Sequence, residues 1–377
     1  MKAALALLAL AFPAVPMPSA AGKPQVRWHV DAGRAKEGVS EWVTHVHSLG
    51  AISGLYGCCG RFRIAANGSF FDEWPEAKYP LSDWDFVHEL DITMHFVFTV
   101  EQSALMNRTA LLAIPDAVRI AVAHNFTGYA LDYETTPAGP PGSAAFALES
   151  DGLLAFATQF SAALVAAGKE LVIDVGGTTA ASLSTQTAGQ CALAARWGKT
   201  GVSTLMEMGT YYGTDLGFNQ RWLLASMAAG VPAHMLSSGI GSTTTAGCGC
   251  GFTAQPVDNR SCCAPGACCG PAQDPWAAKP PTGPPVCHGP PCGDCRTLGT
   301  DLGCYNWTAS SLRSYATFLA RHNISQIGIF MATIDQVEDP GTEGRNETSP
   351  FFYDVMRDFL RGALKTGDEI PRRGNAA

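Results

Sequence analysis

The sequence predicts an α/β fold, a (β/α)8 TIM barrel that carries a Cys-, Pro- and Gly-rich insertion between strands seven and eight. Eight short apolar, β-prone runs recur along nearly the whole chain, and helical stretches separate them. This alternation is typical of a parallel sheet with crossover helices, and eight units favour a closed barrel over an open doubly wound sheet. A glycine-rich dinucleotide loop is absent, since Gly176-Gly177 alone is weak evidence for one.

The eight predicted strands are, in order, Val26–Asp31, Ala51–Tyr56, Ile92–Thr99, Gly128–Tyr133, Leu171–Val175, Ser203–Met208, His234–Ser238 and Gln326–Met331. Each is a run of about the length of a barrel strand, rich in β-branched, apolar or aromatic residues. The predicted helices between them include Leu105–His124, Leu148–Ala167, Gln190–Trp197, Arg221–Ala229 and Ser310–His322. The barrel is predicted over residues 22–366, with a disordered tail at 367–377.

Residues 1–21 read as a secretory signal peptide, because a short basic start leads into an apolar run and then into small residues. Seven Asn-x-Ser/Thr sequons and thirteen cysteines agree with export. We therefore expect a glycoprotein with disulfide bonds, either secreted or in the lumen of the secretory or lysosomal pathway.

Charge and hydropathy exclude two kinds of partner. Acidic residues outnumber basic ones by 33 to 25 and the basic residues are not clustered, which argues against a nucleic-acid partner. After the signal peptide, no apolar run is long enough to cross a bilayer, so no membrane partner is expected. The residues imply no cofactor, and the oligomeric state is left open.

The insertion is predicted at residues 243–304, where ten of the cysteines fall among many prolines and glycines. Such a composition cannot bury a core, so disulfides are expected to hold it. A metal site is the lesser alternative, because the segment has the single histidine His288. Cys58 and Cys59 are predicted in the loop after strand two, on the same face of the barrel as the insertion, and pairing with each other, with the insertion or with Cys191 remains open.

In TIM barrels the active site lies at the carboxyl ends of the strands, so the polar and aromatic residues there are the candidates. They are His29, Asp31, Tyr56, His95, Glu101, Asp132, Glu134, Asp174, Glu207, Tyr211, Tyr212, Ser237, Thr333 and Asp335. An inward histidine such as His29 or His95 is more often a hydrogen-bonded core residue than a ligand.

Asp132 and Glu134 are the most informative of these residues. They lie two positions apart at the end of a β-prone run, so a strand turns both to one face, where Gly128 and Ala130 leave space. Adjacent carboxylates cannot both ionise freely, which suits a general acid beside a group that stays charged. The pattern indicates a glycosidase, and a solvated Asp-x-Glu before a Pro-rich turn is the alternative reading of the spacing alone.

The segment Thr127–Glu134 resembles the fourth-strand motif Asp-Gly-x-Asp-x-Asp-x-Glu of glycoside hydrolase family 18, which comprises chitinases, chitobiases and endo-β-N-acetylglucosaminidases. It keeps Gly128, Asp132 and Glu134 without a gap. The order that follows is also similar: a long helix with Phe156 and Phe160, the run Leu171–Val175, the pair Leu205-Met206, and the final run Ser325–Met331. The branch of the family closest to this pattern is that of the di-N-acetylchitobiases.

The resemblance implies a retaining hydrolysis in which the substrate's own acetamido oxygen attacks the anomeric carbon. Glu134 would protonate the leaving oxygen and then activate water, while Asp132 would orient the acetamido group. The substrate class would be glycans with β-linked N-acetylglucosamine, such as chitin oligosaccharides or an N-glycan core. The expected substrate-binding residues are Tyr211, Tyr212, Asp174, Glu207, Tyr56 and Met331.

The chain also departs from the family's pattern. Thr127 and Ala130 replace two acids of the motif, and Met206-Glu207-Met208-Gly209 replaces the family's Met-x-Tyr-Asp, so Tyr211 or Tyr212 would have to supply the clamp. Phe330 or Met331 stands where the family has a floor Trp. Two alternatives therefore stay open: a non-catalytic chitinase-like carbohydrate-binding protein, and a metal-dependent hydrolase with His29, Asp31, His95, Asp132 and Glu134 as ligands.

Overall fold

The computed structural model describes the strands of the barrel and many of the helices around it. The described residues are 22–31, 38–74, 76–133, 135, 137–140, 142–175, 197–207, 220, 223–224, 226–228, 230–241, 263–264, 267–268, 309–330 and 350–364. The predicted signal peptide and tail lie outside these ranges, as does nearly all of the insertion at 243–304.

Eight parallel strands close into a barrel, which confirms the predicted fold class. They are β1 (Gln25–Asp31), β2 (Gly54–Ile64), β4 (Thr93–Val100), β5 (Gly128–Asp132), β6 (Glu170–Val175), β7 (Thr204–Glu207), β8 (Leu236–Gly241) and β11 (Gln326–Phe330). Each strand pairs with the next in this order, and β1 pairs with both β2 and β11, so the sheet closes on itself. Each of the eight strands overlaps its predicted run, although the ends differ.

The remaining strands lie outside the barrel wall. β3 (Phe70–Asp72) pairs antiparallel with the far end of β2, and β9 (Cys263–Ala264) pairs antiparallel with β10 (Ala267–Cys268). β2 runs well beyond its predicted end at Tyr56, with a register shift against β4 between Gly57 and Phe62. The glycines and cysteines of this segment read as a loop in the sequence, but a bulge lets the strand continue.

The helices pack around the barrel. They are α1 (Ser40–Ser48), α2 (Phe86–Glu89), α3 (Gln102–Met106), α4 (Ile114–Ala123), α5 (Ala144–Ala166), α6 (Ala309–Arg321) and α7 (Pro350–Leu360). The single helix predicted over Leu105–His124 is split, because Arg108 has a left-handed backbone with φ of 62°. Among the helices that the structure describes, α5 included, none combines the length and apolar character that a bilayer crossing requires.

Buried apolar residues form two layers, one on each side of the barrel wall. Trp28, Phe96, Leu131, Ile173 and Leu205 belong to the large layer under the helices. A smaller cluster fills the barrel interior and is made of Tyr56, Cys58, Val97, Ala130, Val172 and Met206, with Phe330 against it. The alternation of these sets along each strand identifies which side chains point inward.

Candidate active site

The carboxyl end of β5 turns Asp132 into the barrel. Gly128, Ala130 and Asp132 alternate with Tyr129 and Leu131, which pack under the helices. Asp132 is half-buried, and its Oδ1 atom is fully enclosed. At Gly128 the neighbouring strand is so close that a Cβ atom would lie 2.0 Å from the carbonyl oxygen of Glu170. The sequence thus places a carboxylate at the active-site end of the barrel, on a strand that packs tightly against its neighbour at Gly128.

Asp174 lies beside Asp132. The two residues are register partners in the adjacent parallel strands β5 and β6, whose chains run about 4.8 Å apart. Val172, two residues before Asp174, belongs to the interior cluster, so Asp174 also faces inward. Its exposed fraction is only 2%. The structure therefore brings together two of the carboxylates that the sequence marks as candidates.

A buried carboxylate on α5 holds the segment that follows β5. Glu149 accepts hydrogen bonds from the Tyr133 hydroxyl at 2.5 Å, from Gln102 Nε2 at 3.0 Å and from the backbone N–H of Ala138 at 2.7 Å. Burial raises the pKa of Tyr133, and its hydrogen bond to Glu149 adds to the effect. Because Tyr133 directly follows Asp132, this contact fixes the direction in which the chain leaves the strand.

A polar network crosses the barrel interior near the amino ends of the strands. Arg27 Nη2 lies 3.3 Å from Glu170 Oε2, while Nη1 donates to the Tyr56 hydroxyl at 3.3 Å and to Gln326 Oε1 at 3.0 Å. Thr204 donates to the same Gln326 oxygen at 2.7 Å. Burial by itself lowers the pKa of Arg27, but the neighbouring Tyr56 and Glu170 outweigh it and raise the pKa.

Glu170 is held as a carboxylate in this network. Its burial would raise its pKa, but contact with His95 and the charge of Arg27 lower it to about 2. His95 Nε2 lies 3.4 Å from Glu170 Oε2, at the long end of hydrogen-bond distances. Arg27 and Glu170 therefore form a pair of opposite charges at the floor of the barrel, with Arg27 buried and Glu170 partly exposed.

His29 and His95 are both buried, with exposed fractions of 2% and 0%. Burial lowers the pKa of each to about 4. His29 Nδ1 lies 3.2 Å from the carbonyl oxygen of Ile329, and the ring packs 4.6 Å from that of Tyr56. At neutral pH both imidazoles are therefore uncharged parts of the interior.

Two residues of β7 face opposite sides of the wall. Met206 lies inside the barrel, where Gly328 makes room for it: a Cβ atom on Gly328 would lie 2.0 Å from the Met206 sulfur. Glu207 is buried, and the alternation of β7 puts it on the helix side with Leu205. Tyr56 is also buried and lies in the interior eight residues before the end of β2.

Several predicted site residues lie outside the described ranges. They are Glu134, Tyr211, Tyr212, Met331, Thr333 and Asp335, and the side chain of Asp31. Among the residues that the structure describes, no group of three or more His, Cys, Asp or Glu side chains is arranged to hold a metal ion. Cys58 is disulfide-bonded.

Sequence reasoning missed three residues that support the site: Arg27, Glu149 and Glu170. A signal for Arg27 was present, because a lone arginine stands between apolar residues at an inward position of the first strand. Glu170 is the residue just before the predicted start of its strand. Glu149 gave no signal, since one glutamate near the start of a helix is ordinary.

No protein-family model and no curated protein sequence matches the chain. Solved structures do resemble it. A chitinase from Chromobacterium violaceum ATCC 12472 has a TM-score of 0.52 at 12% identity, with 89% of this chain and 99% of that chain covered. A glycoside hydrolase family 18 N-acetylglucosaminidase from Paenibacillus barengoltzii has a TM-score of 0.53 at 13% identity, with the same coverage.

A Group IV chitinase from Ostrinia furnacalis, solved in complex with allosamidin, also has a TM-score of 0.53 at 13% identity, with 90% of this chain and 99% of that chain covered. The resemblance to glycoside hydrolase family 18 that the sequence indicates therefore extends to the three-dimensional fold. At these identities the likeness shows the fold alone, and the chemistry has to be argued from the residues.

Proposed function

We propose that this protein is a glycoside hydrolase that cleaves glycans with β-linked N-acetylglucosamine, such as chitin oligosaccharides or an N-glycan core. The observation that carries the proposal is Asp132, an inward carboxylate at the carboxyl end of β5 in a closed barrel. It stands in the segment Thr127–Glu134 that resembles the family 18 motif. That end of a barrel is where TIM-barrel enzymes hold their catalytic groups.

The proposed mechanism is a substrate-assisted, retaining hydrolysis. Glu134 donates a proton to the glycosidic oxygen as the bond to the anomeric carbon breaks, and the acetamido oxygen of the substrate bonds to that carbon. Asp132 accepts the acetamido N–H and stabilises the positive charge of the cyclic intermediate. Glu134 then removes a proton from the water that opens the intermediate, which restores the configuration and both side chains.

The described interior supports this division of roles. The hydrogen bond from Tyr133 to Glu149 fixes the chain that directly follows Asp132, and Asp174 is its register partner on the next strand. A carboxylate on a backbone fixed in this way is suited to orient a substrate group. Secretion or delivery to a lysosomal lumen is part of the same proposal, since the predicted signal peptide and sequons agree with a glycan-degrading role there.

A second candidate function is sugar binding without turnover. Phe330 lies inside the barrel at the last strand, in the region where the family has a Trp. In the sequence, Met208 stands where the family's Met-x-Tyr-Asp has its Tyr. Both changes weaken the contacts that would grip a sugar ring next to the catalytic acid.

The test is hydrolysis of fluorogenic chitobiose and chitotriose substrates by the secreted protein and by its Glu134→Gln variant. Loss of a general acid costs about 10²- to 10⁴-fold in rate, and we expect a fall of that size. Asp116→Asn, on the exposed face of α4, is the matched control and should keep the parent rate. If the parent protein binds the sugars but does not hydrolyse them, the second candidate function, sugar binding without turnover, would be supported instead.

A further inference from the structure

A buried carboxylate on α5 connects the chain segments that follow two neighbouring barrel strands. The connected residues, which we call the Glu149 hub, are Gln102 after β4, Tyr133 and Ala138 after β5, and Glu149 itself. Glu149 has an exposed fraction of 0%. We propose that Glu149 is a positioning residue, whose carboxylate joins the two segments into one unit and so holds Asp132 in the orientation that the reaction needs. The catalytic consequence rests on the proposed function, whereas the hub itself does not.

The two oxygens of Glu149 hold different parts of the chain. Oε1 accepts from the Tyr133 hydroxyl at 2.5 Å and from Gln102 Nε2 at 3.0 Å. Oε2 accepts from the backbone N–H of Ala138 at 2.7 Å. All three partners are donors, which matches a group that only accepts. Because Tyr133 and Ala138 stand on either side of Glu134 in the sequence, one side chain anchors the chain before and after the proposed general acid.

Close packing of α5 against α3 fixes where this carboxylate lies. Gly152 follows Glu149 by three residues, and a Cβ atom on Gly152 would overlap the carbonyl oxygen of Leu105 on α3. The two helices are already in contact, so α5 has no room to move closer to α3 and compensate for a shorter side chain. The start of α5 is fixed as well, since the Ser143 hydroxyl accepts from the backbone N–H of Phe146.

The hub acts on Asp132 through the backbone. Tyr133 is the next residue, and the two side chains point to opposite sides, with Asp132 toward the barrel interior and Tyr133 toward the helix layer. A shift of Tyr133 turns the peptide between them and displaces the Asp132 carboxylate. A displacement of about 1 Å at a catalytic group can lower a rate by about 100-fold. A change at Glu149 removes no contact with substrate, so its effect should appear in kcat rather than in KM.

Two conservative variants separate the geometry of Glu149 from its charge. Glu149→Asp keeps the carboxylate but withdraws it by one methylene group, so it no longer reaches Tyr133 and Ala138 together. Glu149→Gln keeps the length: its oxygen can accept from the Ala138 N–H, while its amide group donates to the Tyr133 hydroxyl, which turns to accept. A geometric role therefore predicts that Glu149→Asp is the more harmful change.

Hydrogen–deuterium exchange of the full-length protein without substrate tests the hub itself. Glu149→Asp should speed exchange in residues 133–138 by about 10-fold, as expected for one lost hydrogen bond, and Glu149→Gln should speed it less. Ser161→Ala is the matched control, because it removes another buried hydrogen bond of α5, which the Ser161 hydroxyl donates to the carbonyl oxygen of Gly201 before β7. It should leave exchange at 133–138 unchanged. Parent-like exchange there in Glu149→Asp would refute the hub.

Kinetics on fluorogenic chitotriose test the positioning role. Glu149→Asp should lower kcat by about 10- to 100-fold with KM within about threefold of the parent, and Glu149→Gln should stay within about fivefold of the parent kcat. Ser161→Ala should keep the parent kcat.

Three kinetic results would overturn the positioning role. Parent-like kcat in Glu149→Asp would show that the contact does not reach the site. A larger loss in Glu149→Gln than in Glu149→Asp would assign the effect to charge, and an equal loss in Ser161→Ala would assign it to stability. A folded parent without turnover would remove the proposed function and the catalytic role with it, while the exchange result still decides the hub.

Discussion

Removal of the negative charge on Glu170 should destabilise the barrel more than removal of any exposed carboxylate. Arg27 is 2% exposed and its guanidinium lies 3.3 Å from Glu170 Oε2. Removal of one partner from a fully buried ion pair lowers the free energy of unfolding by about 3–5 kcal/mol, because the other charge is left buried without compensation. The Glu170 side chain is 39% exposed, so water screens the pair, and Arg27 keeps its bonds to Tyr56 and Gln326. We therefore expect Glu170→Gln to cost about 2 kcal/mol.

In a barrel of this size the unfolding entropy is about 2 cal/mol/K per residue, so a loss of about 2 kcal/mol lowers the Tm by about 3 °C. The difference in stability between the parent and Glu170→Gln should become smaller at acidic pH. The pKa of Glu170 is lowered to about 2 in the folded protein, so its stabilising effect is present above about pH 4.5 and is lost as the pH falls toward 2.

The assay is calorimetry or denaturant unfolding of the parent, Glu170→Gln and the control Glu73→Gln at pH 7 and pH 3. Glu73 pairs with the half-exposed Arg63, so its loss should change stability by less than about 1 kcal/mol. Equal effects of the two variants at pH 7, or a Glu170→Gln effect that does not shrink at pH 3, would show that the floor pair does not stabilise the fold.

Three further predictions concern the same interior. The buried neutral state of His29 should make the protein acid-labile, because its folded pKa of about 4 lies below the usual value of 6.5. The free energy of unfolding should fall by up to roughly 3 kcal/mol as the pH drops from about 6.5 to 4. In urea titrations, His29→Gln should reduce this loss, whereas the exposed control His88→Gln should not. Tyr133→Phe should cost about 1–2 kcal/mol in unfolding and lower kcat more than KM, since Glu149 loses a buried donor next to Asp132; equal kinetics for parent and variant would contradict the link to the site. Gly128→Ala should cost about 3 kcal/mol or more, because the new Cβ atom meets a backbone oxygen at 2.0 Å, and a normal yield of folded protein with unchanged Tm would show that β5 and β6 can separate.

The sequence is a good guide to the strands because strands of a parallel barrel are buried on both sides. They appear as short apolar runs that stand out between more polar helices, and all eight runs became strands. The predicted ends of the strands were less accurate than their positions along the chain. β2 continues to Ile64 through a bulge, and β3 and α7 gave no pattern strong enough to be predicted.

The candidate site was predictable in part. The inward direction of Asp132 follows from period-two alternation, which needs only the strand itself. Its position beside Asp174 depends on the register between two strands that are far apart in sequence, and no local pattern sets that register. The same holds for Arg27 and Glu170, which meet across the barrel interior, 143 residues apart in the chain.

The most direct test of the central claim is a proton NMR time course of chitotriose with the parent protein and with Glu134→Gln. The account predicts that the parent cleaves the sugar and that the β-anomer of the new reducing end appears first, before mutarotation, because the acetamido group attacks from within the substrate. It also predicts no product with Glu134→Gln on the same time scale. Cleavage that continues in Glu134→Gln, a first product of α configuration, or intact chitotriose with the folded parent would contradict the account.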